Sequence, residues 1–168
     1  VLFRSVASRS PLEPTGAACR DHYAETGGDE LAARIDAIAP RIAAALAAIT
    51  ERAPQAHVLL VGYPALLPDT GAGCFPIVPF SAGDVDYLRG VERKLNGMLA
   101  EQATAAGVDY VDTYTPSIGH DMCAAHGTRW IEGLVPTSPA APAHPNAAGM
   151  RGMADAVLGS LAPSSNVA

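Results

Sequence analysis

The stretch His57-Val58-Leu59-Leu60-Val61-Gly62-Tyr63 decides the fold. It is short, apolar and uninterrupted, the pattern of a parallel strand buried on both faces, and Pro54 ends the helical period before it. Upstream, Asp29 opens that helix, in which Leu31, Ile35, Ile38, Ile42, Leu46 and Ile49 advance by three or four residues and draw one apolar stripe. Pro40 falls inside the stripe and removes one backbone hydrogen bond, which predicts a kink or a break. Downstream, Pro64 to Pro79 is a long connection rich in proline and glycine, expected to edge a functional site. Ser81 or Asp84 then caps a second helix, with Leu88, Val91, Leu95 and Leu99 on its buried face and Gly107 closing it. Val108 to Thr113 reads as a second strand, and Met150, Met153, Val157 and Leu161 recur as the stripe of a last helix. Helix, strand, helix, strand and helix in this order imply right-handed crossovers onto a parallel sheet. The expectation is therefore an α/β fold, a three-layer α/β/α sandwich that binds ligands beyond the carboxyl ends of its strands.

With 168 residues, 49% of them hydrophobic, and a mean hydropathy of +0.16, the chain has the material for one buried core. Residues 1–24 show no sustained period and read as an irregular N-terminal segment, 25–162 as one domain, and 163–168 as a tail. A formal charge of -6 without a basic run argues against a nucleic-acid partner. No apolar run approaches the roughly 20 residues needed to cross a bilayer, and the first residues lack the n-region and h-region of a signal peptide. The chain starts at Val1, so that end is expected to continue upstream. Of the three cysteines, Cys74 and Cys123 each lie in an irregular stretch, which suits a cross-link between long loops, with three reduced thiols as the alternative. A closed loop of about 50 residues contributes roughly 4 kcal/mol in the chain-entropy account. Cys19 would then take a partner upstream.

The segment Pro142-Ala143-His144-Pro145-Asn146-Ala147-Ala148-Gly149-Met150 places an imidazole on the last loop, anchored by the final helix. Proline just past the histidine suits a helix start. Neutral imidazole accepts and returns a proton near neutrality, so His144 is the candidate general base. The histidines and thiol of His120, Cys123 and His126 recur every third residue beside Asp121, a spacing that could bind zinc. The disulfide would consume that thiol, no second pair completes the shell, and no metal or cofactor is expected.

Trp130-Ile131-Glu132-Gly133 followed by His144-Pro145-Asn146 resembles the histidine block of the secreted, actinomycete-like branch of SGNH, or GDSL-type, esterases and lipases. The resemblance runs from about Cys19 to the end of the last helix and is best over Tyr110 to Met150. It implies a flavodoxin-like three-layer fold and ester hydrolysis through a serine acyl-enzyme, with His144 as base and then acid. The family's Gly-Asp-Ser block and its oxyanion-donor blocks have no counterpart here, so the chain reads as an N-terminally truncated, C-terminal part of such a domain, inactive as it stands. No serine is nominated: those at 5, 8, 10, 81, 117, 138, 160, 164 and 165 follow neither Gly-Asp-Ser nor Gly-x-Ser-x-Gly. Gly27-Gly28-Asp29 caps a helix rather than ending a strand. The strand at His57 to Tyr63, lacking a neighbour, would present an open edge.

Where the family usually has an aspartate three residues before the histidine, this chain has Ala141. Some secreted members use a main-chain carbonyl instead, so the carbonyl of Ala141 or Pro142 would orient His144, with Asp121 and Asp112 as acidic alternatives. Trp130 lines an acyl pocket or else braces the loop as a core aromatic. The resemblance also implies an extracellular protein, monomeric when full length, acting on an ester or lipid. Two other readings are deacetylation of a carbohydrate on the same scaffold and a non-enzymatic flavodoxin-like binding module, although the loop after Tyr63 lacks a phosphate-cradling glycine fingerprint. A secreted interaction domain is a further reading without a positive feature.

Overall fold

The structure, a computed structural model, describes residues 15–25 and 27–162. The elements are α1 (Ala18–Ala24), α2 (Glu30–Arg52), β1 (Leu59–Val61), α3 (Ala82–Ala106), β2 (Asp109–Val111), α4 (Tyr114–Ser117) and α5 (Ala147–Leu161). The two strands pair in parallel with Leu59 opposite Asp109, Leu60 opposite Tyr110 and Val61 opposite Val111. α3 lies on both strands with α2 packed along it, and α5 packs against β2, which gives the α/β/α layering expected from the element order.

α2 forms as its sequence dictates. The Asp29 carboxylate accepts the Ala32 N–H at 3.0 Å, and the helix ends at Arg52 before Pro54. Pro40 does not break it. That residue lies on the exposed face, where the carbonyl its ring displaces can turn to water. The apolar stripe is wider than its contact: Leu31, Ile35 and Leu46 are buried, while Ile38 and Ile49 are exposed. Gly107 ends α3 in the left-handed region, at φ 67, as expected of a glycine terminator.

Three expectations are corrected. The strands are shorter than His57 to Tyr63 and Val108 to Thr113, although hydrogen bonds from Asp109 N to Val58 O and from Gly62 N to Val111 O continue the ladder at both ends. β1 is not buried on both faces, since Val61 is 37% and Tyr63 53% exposed. Its one neighbour among the described residues is β2, and only Leu60 joins the cluster that Ile35, Met98 and Leu99 form between α2 and α3.

The third correction concerns residues 18–24, expected to be irregular, which form α1. The reason lies 65 residues away. Ala17 at the N-cap has no capping side chain, and the buried Asp84 carboxylate takes its place, accepting both the Cys19 and Arg20 N–H groups at 3.0 Å. Asp84 in turn receives the Ser81 hydroxyl at 2.8 Å, so Ser81 occupies the N-cap of α3 without a side-chain bond to that helix's N–H groups. Cys19, fully buried, and Tyr23 then pack into the main core with Leu67, Phe80, Met122 and Ile131.

Asp84→Ala leaves the buried Cys19 N–H and the part-buried Arg20 N–H without their acceptor and is expected to cost roughly 2–3 kcal/mol. The check is the urea midpoint, together with loss of the far-UV helical signal of α1 at concentrations where α2 and α3 survive.

Candidate active site

Three loops meet at the carboxyl ends of the strands. The first leaves β1, and its backbone is held by side chains of α3 and α4. Asn96 accepts the Tyr63 N–H at 2.8 Å and donates to the Tyr63 carbonyl at 2.9 Å, acting as a strand neighbour would. Ser117 Oγ accepts the Ala65 N–H at 2.7 Å, and the Glu92 carboxylate accepts the Leu66 N–H at 3.2 Å. Asp69 takes a hydrogen bond from Tyr114 and an ion pair from Arg93, and the Arg93 bond holds its carboxyl below the usual carboxylate range.

The Cys74–Cys123 disulfide joins this loop to the second, which follows α4. The same two loops share a backbone bond from Met122 N to Leu66 O. Both half-cystines pack on the main core, as Leu66, Leu134 and Ala143 do.

The third loop carries His144. It is clamped to the second by an antiparallel bridge between Ile131 and Pro145 and by bonds from Glu132 N to His144 O and from Asn146 N to Trp130 O. Asn146 is the N-cap of α5, so Pro145 precedes the helix instead of lying in its first turn: Asn146 Oδ1 accepts the Ala148 and Gly149 N–H groups at 2.9 and 3.1 Å. His144 itself is exposed, with Nδ1 2.8 Å from the Pro142 carbonyl. The Ala141 carbonyl accepts the backbone N–H of His144 instead. The two alternatives therefore separate, Pro142 reaching the ring and Ala141 the main chain. Neither Asp112 nor Asp121 hydrogen-bonds the imidazole. Asp112 caps α4 through the Tyr114 and Thr115 N–H groups, and Asp121 accepts the Cys123 N–H.

Glu132 and Glu92 were not singled out by sequence reasoning. Glu132 is fully buried, its Oε1 accepting Asn146 Nδ2 at 2.8 Å and its Oε2 accepting the Thr137 N–H at 2.8 Å and hydroxyl at 3.2 Å. Burial alone would raise its pKa, but the donors from Asn146, Thr137 and Ser138 outweigh it and hold the carboxyl down at about 2. Glu92 has the opposite environment. It stands in the wall of an otherwise apolar cavity of about 280 Å³ lined by Tyr63, Leu66, Leu67, Leu88, Val91 and Leu95, where burial pushes its carboxyl up to about 8.

Trp130 is wedged beside the histidine loop. Its ring stacks on His120 with centroids 4.6 Å apart, and a Cβ placed on Gly152 of α5 would come within 2.2 Å of it. Glycine at 152 is what lets the ring meet the helix. The remaining side of Trp130 opens onto a groove of about 630 Å³ with Tyr110, Asp112 and Pro116. His120 Nδ1 is engaged by the Thr128 carbonyl, and Cys123 is committed to the disulfide, so the zinc spacing is not assembled. No serine among the described residues hydrogen-bonds His144: Ser81, Ser117 and Ser160 bond within the framework, and Ser138 serves Glu132.

Comparison with known proteins follows the same outline. The family model of GDSL-like lipases and acylhydrolases matches residues 13–151. The chain belongs to that family. Lipase 2 of Streptomyces coelicolor is 41% identical over 141 residues, which are 83% of this chain and 47% of that protein. Lipase 1 of the same organism is 31% identical over 105 residues, 62% of this chain and 37% of that protein. The chain thus spans about half the length or less of the curated relatives it matches. Phospholipase A1 from Streptomyces albidoflavus superposes with a TM-score of 0.72 at 24% identity, covering 95% of this chain and 64% of that one. An extracellular lipase from Streptomyces rimosus gives 0.71 at 23% identity, with the same coverage. These structural likenesses establish the SGNH-type fold.

Glu132 and Glu92, two of the buried carboxyls of this GDSL-family chain, set opposite pH arms. An unfolded glutamate titrates near about 4.3. Below that value the unfolded chain binds a proton that folded Glu132 refuses until about pH 2, so acid removes stability. Between about 4.3 and about 8 the unfolded chain releases a proton that folded Glu92 keeps, so rising pH removes stability as well. Urea midpoints between pH 3 and 9 are expected to peak near pH 4–5 as far as these two groups govern them. Glu92→Gln should flatten the alkaline arm, gaining up to about 5 kcal/mol at pH 9, and an unchanged arm would contradict this assignment.

Proposed function

We propose that this chain is the base-bearing part of a carboxylic ester hydrolase, an esterase or lipase working through a serine acyl-enzyme with His144 as general base and then general acid. The carrying observation is the 2.8 Å contact between His144 Nδ1 and the Pro142 carbonyl. A carbonyl can only accept, so Nδ1 must hold the proton and Nε2 the lone pair. The lone-pair nitrogen sits on an exposed ring at the rim where the strands end. In the reaction, Nε2 takes the hydroxyl proton as the serine oxygen bonds to the ester carbonyl carbon. The imidazolium then returns that proton to the departing alkoxide as its bond to carbon breaks. Water repeats the sequence on the acyl-enzyme and releases the acid. The Pro142 carbonyl fixes the tautomer and faces the imidazolium charge through the same bond, the part an aspartate plays in a full triad.

An ester or lipid substrate is supported by family membership and by the names of the Streptomyces coelicolor relatives, both lipases. Secretion is supported by the disulfide and by the Streptomyces rimosus neighbour, described as extracellular. Trp130 we assign to bracing, since its contacts with His120 and the Gly152 face of α5 hold the loop in place. The nucleophile and oxyanion donors are assigned to no described residue, since the described serines 81, 117, 138 and 160 bond elsewhere.

Two measurements test the reading. The chain alone is expected to give no ester turnover sensitive to a serine-directed phosphonate; rapid, phosphonate-sensitive cleavage would sink that part. Joined to the portion of Lipase 2 that it does not match, it is expected to hydrolyse p-nitrophenyl esters, with His144→Ala lowering kcat roughly 10²–10⁴-fold. An active chimera indifferent to that substitution would remove His144 from the chemistry.

A further inference from the structure

We propose that Glu132 is the positioning residue for His144, holding the imidazole in its base-competent tautomer through Asn146 and through the backbone of the loop between them. This inference deepens the proposed function and rests on His144 being the base. It begins with strain. Ala143 has φ 57, a left-handed conformation that an alanine adopts only when its surroundings impose it. Ala143 is the one residue between Pro142 and His144, and its reversed turn lies between the Pro142 carbonyl and the Nδ1 atom that contacts it. Whatever holds Ala143 in that conformation therefore holds the tautomer.

Glu132 does so from both sides. Its carbonyl accepts the Ala143 N–H at 3.2 Å, and its N–H donates to the His144 carbonyl at 3.0 Å, so the strained turn is bracketed by one residue's backbone. Its side chain fixes the far end of the loop. Oε1 receives Asn146 Nδ2 at 2.8 Å, and the same Asn146 caps α5 through Ala148 and Gly149, with a further bond to the Arg129 carbonyl. Oε2 receives Thr137 of the intervening segment. His144 thus sits between two attachments to Glu132, one on each side.

Chemistry explains why the residue is an acid. Every partner of the carboxylate is a donor: Asn146 Nδ2, the Thr137 N–H and hydroxyl, and the Ser138 hydroxyl. Only a group with acceptors on both oxygens meets them all, and an amide would point its NH₂ at another NH. Burying a charge costs several kcal/mol before its bonds are counted, more than an apolar residue would cost in a loop that needed only filling.

The test is ¹⁵N NMR of the imidazole in the full chain, with the His144 signals identified by their loss in His144→Ala. The wild type is expected to show a protonated Nδ1 and a pyridine-like Nε2 in the neutral state. Glu132→Gln is expected to lose that single-tautomer pattern, moving toward the Nε2–H form that free imidazole prefers. Asn146→Ser keeps a capping oxygen for α5 while cutting the link to Glu132, and is expected to move the same signals. It serves as the deciding variant if Glu132→Gln does not fold. Ala143→Gly, which relieves the strained φ without touching Glu132, is expected to keep the wild-type pattern. A folded Glu132→Gln or Asn146→Ser with an unchanged tautomer pattern overturns the positioning role while leaving the base reading in place. A wild type already in the Nε2–H form overturns the base reading itself.

Discussion

A backbone N–H buried in a loop must find an acceptor, and in this chain several of those acceptors are side-chain oxygens sent from distant segments. The two strands pair over three residues each, too short a ladder to define the rim. Asp84, Glu92, Asn96, Ser117 and Glu132 supply what the ladder does not, each receiving the N–H of a residue at least five positions away, and most of them tens of positions away. The irregular backbone is fixed by these bonds nearly as a sheet would fix it. The disulfide adds a covalent tie between the two loops that hold Leu66 and Met122 together.

This division explains which parts were legible in the sequence. Periodicity reports the burial of one face, so the α2 stripe with its Asp29 cap and α3 with its Gly107 stop were readable from local residues; α5 forms where its stripe placed it, but Met150 and Leu161 of that stripe are exposed and the helix buries only Gly149. Where stability comes from a partner far along the chain, no local signal exists. α1 looks like loop until Asp84 is seen at its N-terminus, and β1 looks like a central strand because hydrophobicity alone does not say whether a face is covered.

The site divides in the same way. His144 was readable because a histidine before a helix, in a recognisable block, needs only local residues to be noticed. The Pro142 carbonyl carries no side-chain signature, and its choice over Ala141 depends on the conformation of Ala143. Glu132 stood inside the quoted block, yet an acid in an apolar stretch reads as a surface residue until fourteen positions of chain fold back and place Asn146 against it.

The chain has a single tryptophan, stacked against His120 and seated on the glycine face of α5. Its emission therefore responds to the docking of that helix and to the charge on a neighbouring imidazole. Departure of α5 from the body of the protein would carry the His144 loop with it and change the indole's surroundings in the same event. The fold supplies its own optical probe of the segment that bears the histidine, readable in unlabelled protein.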